Sequence, residues 1–108
     1  MKVLTVCQGG NSRSVALGYV LKYVLNVDAI ACSWQKNSIE TITMLCEWAD
    51  RIIVMQAVFL EKIPPEFRDK TSIYDVGEDR WCNSLHPELV GLCKELVQQD
   101  SLWGVRFN

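Results

Sequence analysis

The opening of the chain reads as one unit. Lys2 to Val6 is a short aliphatic and β-branched run, Gly9-Gly10 follows it, and from Ser14 onward Leu17, Val20, Leu21, Val24 and Leu25 recur at helical spacing. Such a run before a glycine turn reads as a buried strand, and the stripe reads as one face of an amphipathic helix expected to end near Asn26. A strand that leads straight into a helix returns to the sheet as a parallel neighbour, so this opening predicts an α/β fold.

The alternation continues downstream. Ala29 to Cys32 reads as a second strand. Asn37, followed three residues later by Glu40, resembles a capping box opening a helix with Ile39, Ile42, Leu45, Cys46 and Ala49 inward. Arg51 to Met55, with Ile52-Ile53-Val54, has the continuous apolar character of a parallel strand buried on both faces, and the short helical piece after it must stop at Pro64. Ser72 to Asp75 is a fourth strand. Pro87 suits the first position of a last helix whose stripe is Leu89, Val90, Cys93, Leu96 and Val97. His86, before it, reads as a cap or surface residue, and Tyr19 and Tyr23 as packing residues. Right-handed crossovers then predict one three-layer domain over residues 1–108: a four-stranded parallel sheet, flavodoxin-like, order 2-1-3-4, with helices on both faces. Ligands of such folds sit beyond the carboxyl ends of the strands.

Composition narrows the function. With 49% apolar and 22% charged residues and a formal charge of -2, the chain is an ordinary globular protein with its basic residues scattered. Nucleic acid is therefore not an expected partner. No apolar run is long enough for an export signal or a membrane span, so a soluble, cytoplasmic protein with no membrane partner is expected. The five cysteines form no closely spaced pair and His86 stands alone, which predicts reduced thiols, no metal and no other cofactor.

The chemistry concentrates in Cys7-Gln8-Gly9-Gly10-Asn11-Ser12-Arg13-Ser14. A thiol at a strand's end, an arginine six residues later and a helix start between them make an oxyanion site, with backbone N–H groups and the helix dipole directed at a common centre. Gly9 and Gly10 permit close approach of the backbone, and the fork of Arg13 matches two phosphate oxygens. That field favours the Cys7 thiolate, the nucleophilic form. Ser14 is placed to donate its hydroxyl to the sulfur.

At these residues the sequence resembles the low-molecular-weight protein tyrosine phosphatase family, whose phosphate loop is Cys, five residues, Arg and Ser between the first strand and first helix. The match is Cys7, Arg13 and Ser14. It extends through Glu47-Trp48-Ala49-Asp50-Arg51-Ile52-Ile53-Val54-Met55 and the acidic segment from Tyr74 to Trp81, and His86-Pro87-Glu88-Leu89-Val90 is most like short bacterial and phage-type members. The resemblance implies a phosphocysteine enzyme acting on phosphotyrosine, in a protein or as a small aryl phosphate. It departs from the family where Gly10 replaces the usual loop asparagine, where Ser12 replaces a second loop cysteine, and where the Asp-Pro pair of the general acid is absent. The acid is then Asp79 or, second, Glu78, with Asp75 holding the loop. Trp34 and Trp81 are placed to wall a slot for an aryl group. Other readings are a non-catalytic phosphate-binding module, a thiol-dependent arsenate reductase using Cys82 and Cys93, and a phosphocarrier subunit.

Overall fold

In the computed structural model, residues 1–9, 12–78, 80–81 and 83–107 are described. The central strand β1 (Lys2–Cys7) is paired in parallel on both sides, with β2 (Asp28–Ser33) and with β3 (Arg51–Val54), and β3 pairs in parallel with β4 (Thr71–Ile73). The order β2-β1-β3-β4 is the one expected. Leu4 and Val6 of β1 and Ile52 and Val54 of β3 are fully buried, as the continuous apolar runs require of strands covered on both faces.

Side chains alternate along a strand, so the two faces can be assigned. The Thr5 hydroxyl donates to the Ser14 carbonyl of α1 (Arg13–Tyr19) at 2.7 Å, which puts α1 over the face of Val3, Thr5 and Cys7. The Lys2 ammonium stands 5.9 Å from the ring centroid of Trp48, at the end of α2 (Ile39–Trp48), which puts α2 over the face of Leu4 and Val6. The last helix, α3 (Pro87–Gln99), packs beside α1. His86 caps α3 as expected, its Nδ1 accepting from the Glu88 amide at 3.2 Å with Pro87 in the first turn.

Three local expectations are corrected. The first helix leaves α geometry at Tyr19 and continues as a π turn, Val20–Val24, closed by Asn26 at φ 58. The wider turn holds more residues per revolution, so the helical stripe loses its phase. Val24 is 43% exposed, and Tyr23, 72% exposed, pairs with Tyr19 on the surface at 5.5 Å instead of packing inward. At the second helix Ser38, not Asn37, is the cap. Its hydroxyl accepts from the Thr41 amide at 3.2 Å, while the Asn37 side chain donates back to the Ser33 carbonyl at 2.8 Å. Ile42 and Cys46 face the core, and Ile39, expected inside, is on the surface.

The third correction concerns β4, which ends at Ile73. Tyr74 keeps one ladder bond, its amide donating to the Val54 carbonyl at 2.9 Å, and its hydroxyl sits between the Asp100 carboxylate, to which it donates at 2.6 Å, and the Trp103 indole, from which it accepts at 2.8 Å. Burial and the Asp100 carboxylate push the phenol above its ordinary pKa. Tyr74→Phe strands both partners of a half-buried hydroxyl. It should lower unfolding free energy by about 1–3 kcal/mol in urea denaturation, and an unchanged midpoint would show that water replaces the hydroxyl fully.

Candidate active site

Cys7 is the last residue of β1, on the face that α1 covers, and is 2% exposed. Its thiol lies 3.1 Å from the Ser14 hydroxyl. Ser14 is itself fixed by the bond that Thr5 makes to its carbonyl. The first residues of the loop are tied to the end of β2. The Cys7 carbonyl accepts from the Trp34 amide at 3.1 Å, and the Ser33 hydroxyl donates to the Gln8 carbonyl while accepting the amides of Gln35 and Lys36. A serine at the end of β2 thus binds the backbone of the loop after β1 to the turn that presents Trp34.

Arg13 begins α1 and heads the fully buried side chains by volume, at 1% exposure. One terminal nitrogen, Nη1, donates to Gln56 Oε1 at 2.7 Å and to the Gly77 carbonyl at 2.8 Å. The guanidinium carbon stands 5.2 Å from the Phe59 ring centroid, a cation–π contact. Its Nε is buried without a hydrogen-bond partner, as is the indole Nε1 of Trp34. Two acceptors carrying no formal charge and one aromatic face therefore hold a buried cation, and among the described residues no carboxylate bonds to it. Gly77 adopts φ 82, where a Cβ would be strained, and the Asp75 carboxylate accepts its amide at 2.8 Å. That turn directs the Gly77 carbonyl at Arg13.

Beside Arg13 opens a cleft of about 470 Å³, at the carboxyl end of the sheet, where the fold places ligands. Gln8, Trp34, Gln56, Phe59, Lys62 and Glu78 are among its walls. Trp34 and Phe59 meet at 5.8 Å with their planes 57° apart, and Lys62 covers the outer face of Trp34 at 4.5 Å. The cleft therefore combines a buried cation, an aromatic corner and one carboxylate from the acidic loop.

The structure brings Cys7 and Ser14 together, and Gln8, Arg13, Trp34 and Glu78 around the cleft. Ser12 is buried at the start of α1. Asp75 is turned into its own loop. Trp81 is buried elsewhere, its indole donating to Glu88 at 3.1 Å under Arg80. Gly10, Asn11, Asp79 and Cys82 lie outside the described residues. At Gly9 a Cβ would meet no described protein atom within 4 Å. Gln56, Phe59 and Lys62 are functional candidates that the sequence reading missed. The signal lay in their position just past the carboxyl end of β3, the edge at which such sheets bind ligands.

The remaining described thiols sit away from this chemistry. Cys32 stands opposite Val6 in register, so it faces α2 rather than Ser14. Burial pushes Cys32 and Cys93 up to about 12 and Cys46 up to about 11. Cys93, one of the two cysteines an arsenate reductase reading would use, is fully buried on α3.

No family model and no curated protein sequence matches the chain. Solved structures do. Wzb of Vibrio vulnificus in complex with benzylphosphonate is 20% identical with a TM-score of 0.71, covering 90% of this chain and 94% of that one. The tyrosine phosphatase Wzb of Escherichia coli K30 in complex with phosphate is 18% identical, also at 0.71, over 91% of this chain and 94% of that one. The YwlE arginine phosphatase of Geobacillus stearothermophilus is 16% identical at 0.61, over 99% of both. The chain has the fold of these small phosphatases, as the resemblance in its loop implied.

The buried thiols give a direct check on the packing. In the native protein at neutral pH, Cys32, Cys46 and Cys93 should resist iodoacetamide and react only after denaturation, by peptide mapping. Native labelling of Cys93 would reopen the arsenate reading.

Proposed function

We propose that this protein is a metal-independent cysteine phosphatase that hydrolyses aryl phosphate monoesters, as phosphotyrosine in a protein or as a small aryl phosphate. The observation that carries the reading is a thiol at the end of β1, bonded to Ser14 of the helix that Arg13 begins, together with that buried arginine, which among the described residues hydrogen-bonds to formally uncharged groups and lines a cleft at the carboxyl edge of the sheet. A buried cation with no carboxylate partner among the described residues, and with a donor to spare, is matched by a phosphate dianion. The aromatic corner of Trp34 and Phe59 suits a flat leaving group. Among the described residues no helix is long and apolar enough to cross a membrane, and a reducing, cytoplasmic setting suits a working thiolate.

In this reading Cys7 Sγ attacks phosphorus in line, forming the S–P bond as the P–O bond to the aryl oxygen breaks. Arg13 and the loop amides from Gln8 to Ser14 hold the equatorial oxygens. Glu78, a wall of the cleft, or Asp79, next to it, supplies the proton to the leaving oxygen and takes one from the water that then attacks phosphorus. The S–P bond breaks in that second step, and the Ser14 hydroxyl, 3.1 Å from the sulfur, donates to the departing thiolate.

Hydrolysis of phenyl phosphate with chelator and reductant present tests this. Cys7→Ser should lose turnover while still binding phosphate, and retained hydrolysis in that variant overturns the covalent route. Phosphate binding without hydrolysis by the native chain would instead assign a binding module. The double variant Glu78→Gln, Asp79→Asn should lose about 10²–10⁴-fold in kcat. The single variants, measured with a poor leaving group, identify which carboxyl is the acid. No loss in the double variant would exclude both.

A further inference from the structure

We propose that Gln56 sets the charge selectivity of the site by holding the Arg13 guanidinium in place without neutralising it, so that the cleft selects dianions over monoanions, and monoesters over diesters. The inference deepens the phosphatase reading and rests on it for its bearing on turnover. Gln56 is a positioning residue: it acts through Arg13, whose Nη1 it accepts at 2.7 Å.

A guanidinium with its five donors needs acceptors to fix its plane, and the commonest strong acceptor is a carboxylate. Among the described residues both acceptors are formally uncharged, the Gln56 amide and the Gly77 carbonyl, and the third contact is the Phe59 ring. Glu61 and Glu78 also line the cleft, yet neither hydrogen-bonds to Arg13. A glutamate at position 56 would have the same length and reach as glutamine. It would place a negative charge against a cation that is 1% exposed, where solvent screens little. The amide gives the same geometry and leaves the full positive charge to the ligand.

The test is equilibrium binding of sulfate, a dianion throughout the acidic to neutral range, by calorimetry on the whole chain. Gln56→Glu should bind sulfate roughly tenfold to a hundredfold more weakly than the native protein at pH 7. The loss should be greater for sulfate than for the monoanion nitrate, because the introduced carboxylate, held ionised by the guanidinium beside it, repels a dianion about twice as strongly. Gln56→Met, which loses the bond and not the charge balance, should show a smaller loss that leaves the sulfate-to-nitrate affinity ratio unchanged. Independently of any variant, the native chain should bind sulfate at least roughly tenfold more tightly than nitrate.

Equal sulfate affinity in Gln56→Glu and native protein, or an unchanged sulfate-to-nitrate affinity ratio in that variant, overturns the role of Gln56 and leaves the phosphatase reading intact. Should the glutamate variant not fold, equal binding of sulfate and nitrate by the native chain overturns the inference alone. A native chain that binds no sulfate and hydrolyses no aryl phosphate overturns both.

Discussion

The site depends on hydrogen bonds that continue the sheet one step beyond its strands. Past the end of each strand, single backbone bonds carry the ladder on: the Trp34 amide to the Cys7 carbonyl at 3.1 Å, Met55 to Val6 at 2.9 Å, Tyr74 to Val54 at 2.9 Å and Val76 to Met55 at 3.3 Å. Each one positions the first residue or two of a loop. Cys7, the aromatic wall, Gln56 and the acidic loop therefore leave the sheet in fixed register. Arg13 then joins two of those loops through Gln56 and Gly77. Preorganised dipoles of this kind are what an anion site needs, because their ordering is completed in folding rather than at binding.

Much of this was legible in the sequence where a single principle governs. The run from Arg51 is apolar without interruption past its first residue because both sheet faces are covered, and with the run from Lys2, broken only by Thr5, it marks a parallel sheet. The Cys7 to Ser14 segment declares itself because a thiol, an arginine and a serine at that spacing serve one purpose. Periodicity failed where backbone geometry departed from the regular helix. The π turn at Val20–Val24 moved Val24 and Tyr23 to the surface, and no residue type in the stretch announces such a turn. At the second helix two adjacent cap candidates competed. Ser38 prevailed because the end of β2 had already engaged the Asn37 amide, a tertiary fact beyond local reading.

The site shows the same division. Residues whose chemistry is intrinsic, Cys7 and Arg13, were readable by type. Gln56, Phe59 and Lys62 are ordinary residues made relevant only by the folded position of the turn after β3. Glycine was overlooked at Gly77, whose left-handed backbone aims a carbonyl at the arginine. Trp34 and Trp81, equivalent in the sequence, separate in space. One corners the cleft and the other packs under Arg80 against α3.

The buried guanidinium of Arg13 also sets evolutionary pressures on the chain against each other. A buried cation with no carboxylate on it among the described residues is a burden on the folded state, and apolar groups of similar volume commonly replace buried charge at no loss of stability. Drift under selection for folding alone would erase this residue early, along with the glutamine and glycine that accommodate it. Its persistence in a lineage would therefore mark continued use of the cleft, and copies released from that use should be recognisable by an apolar core where the arginine stood.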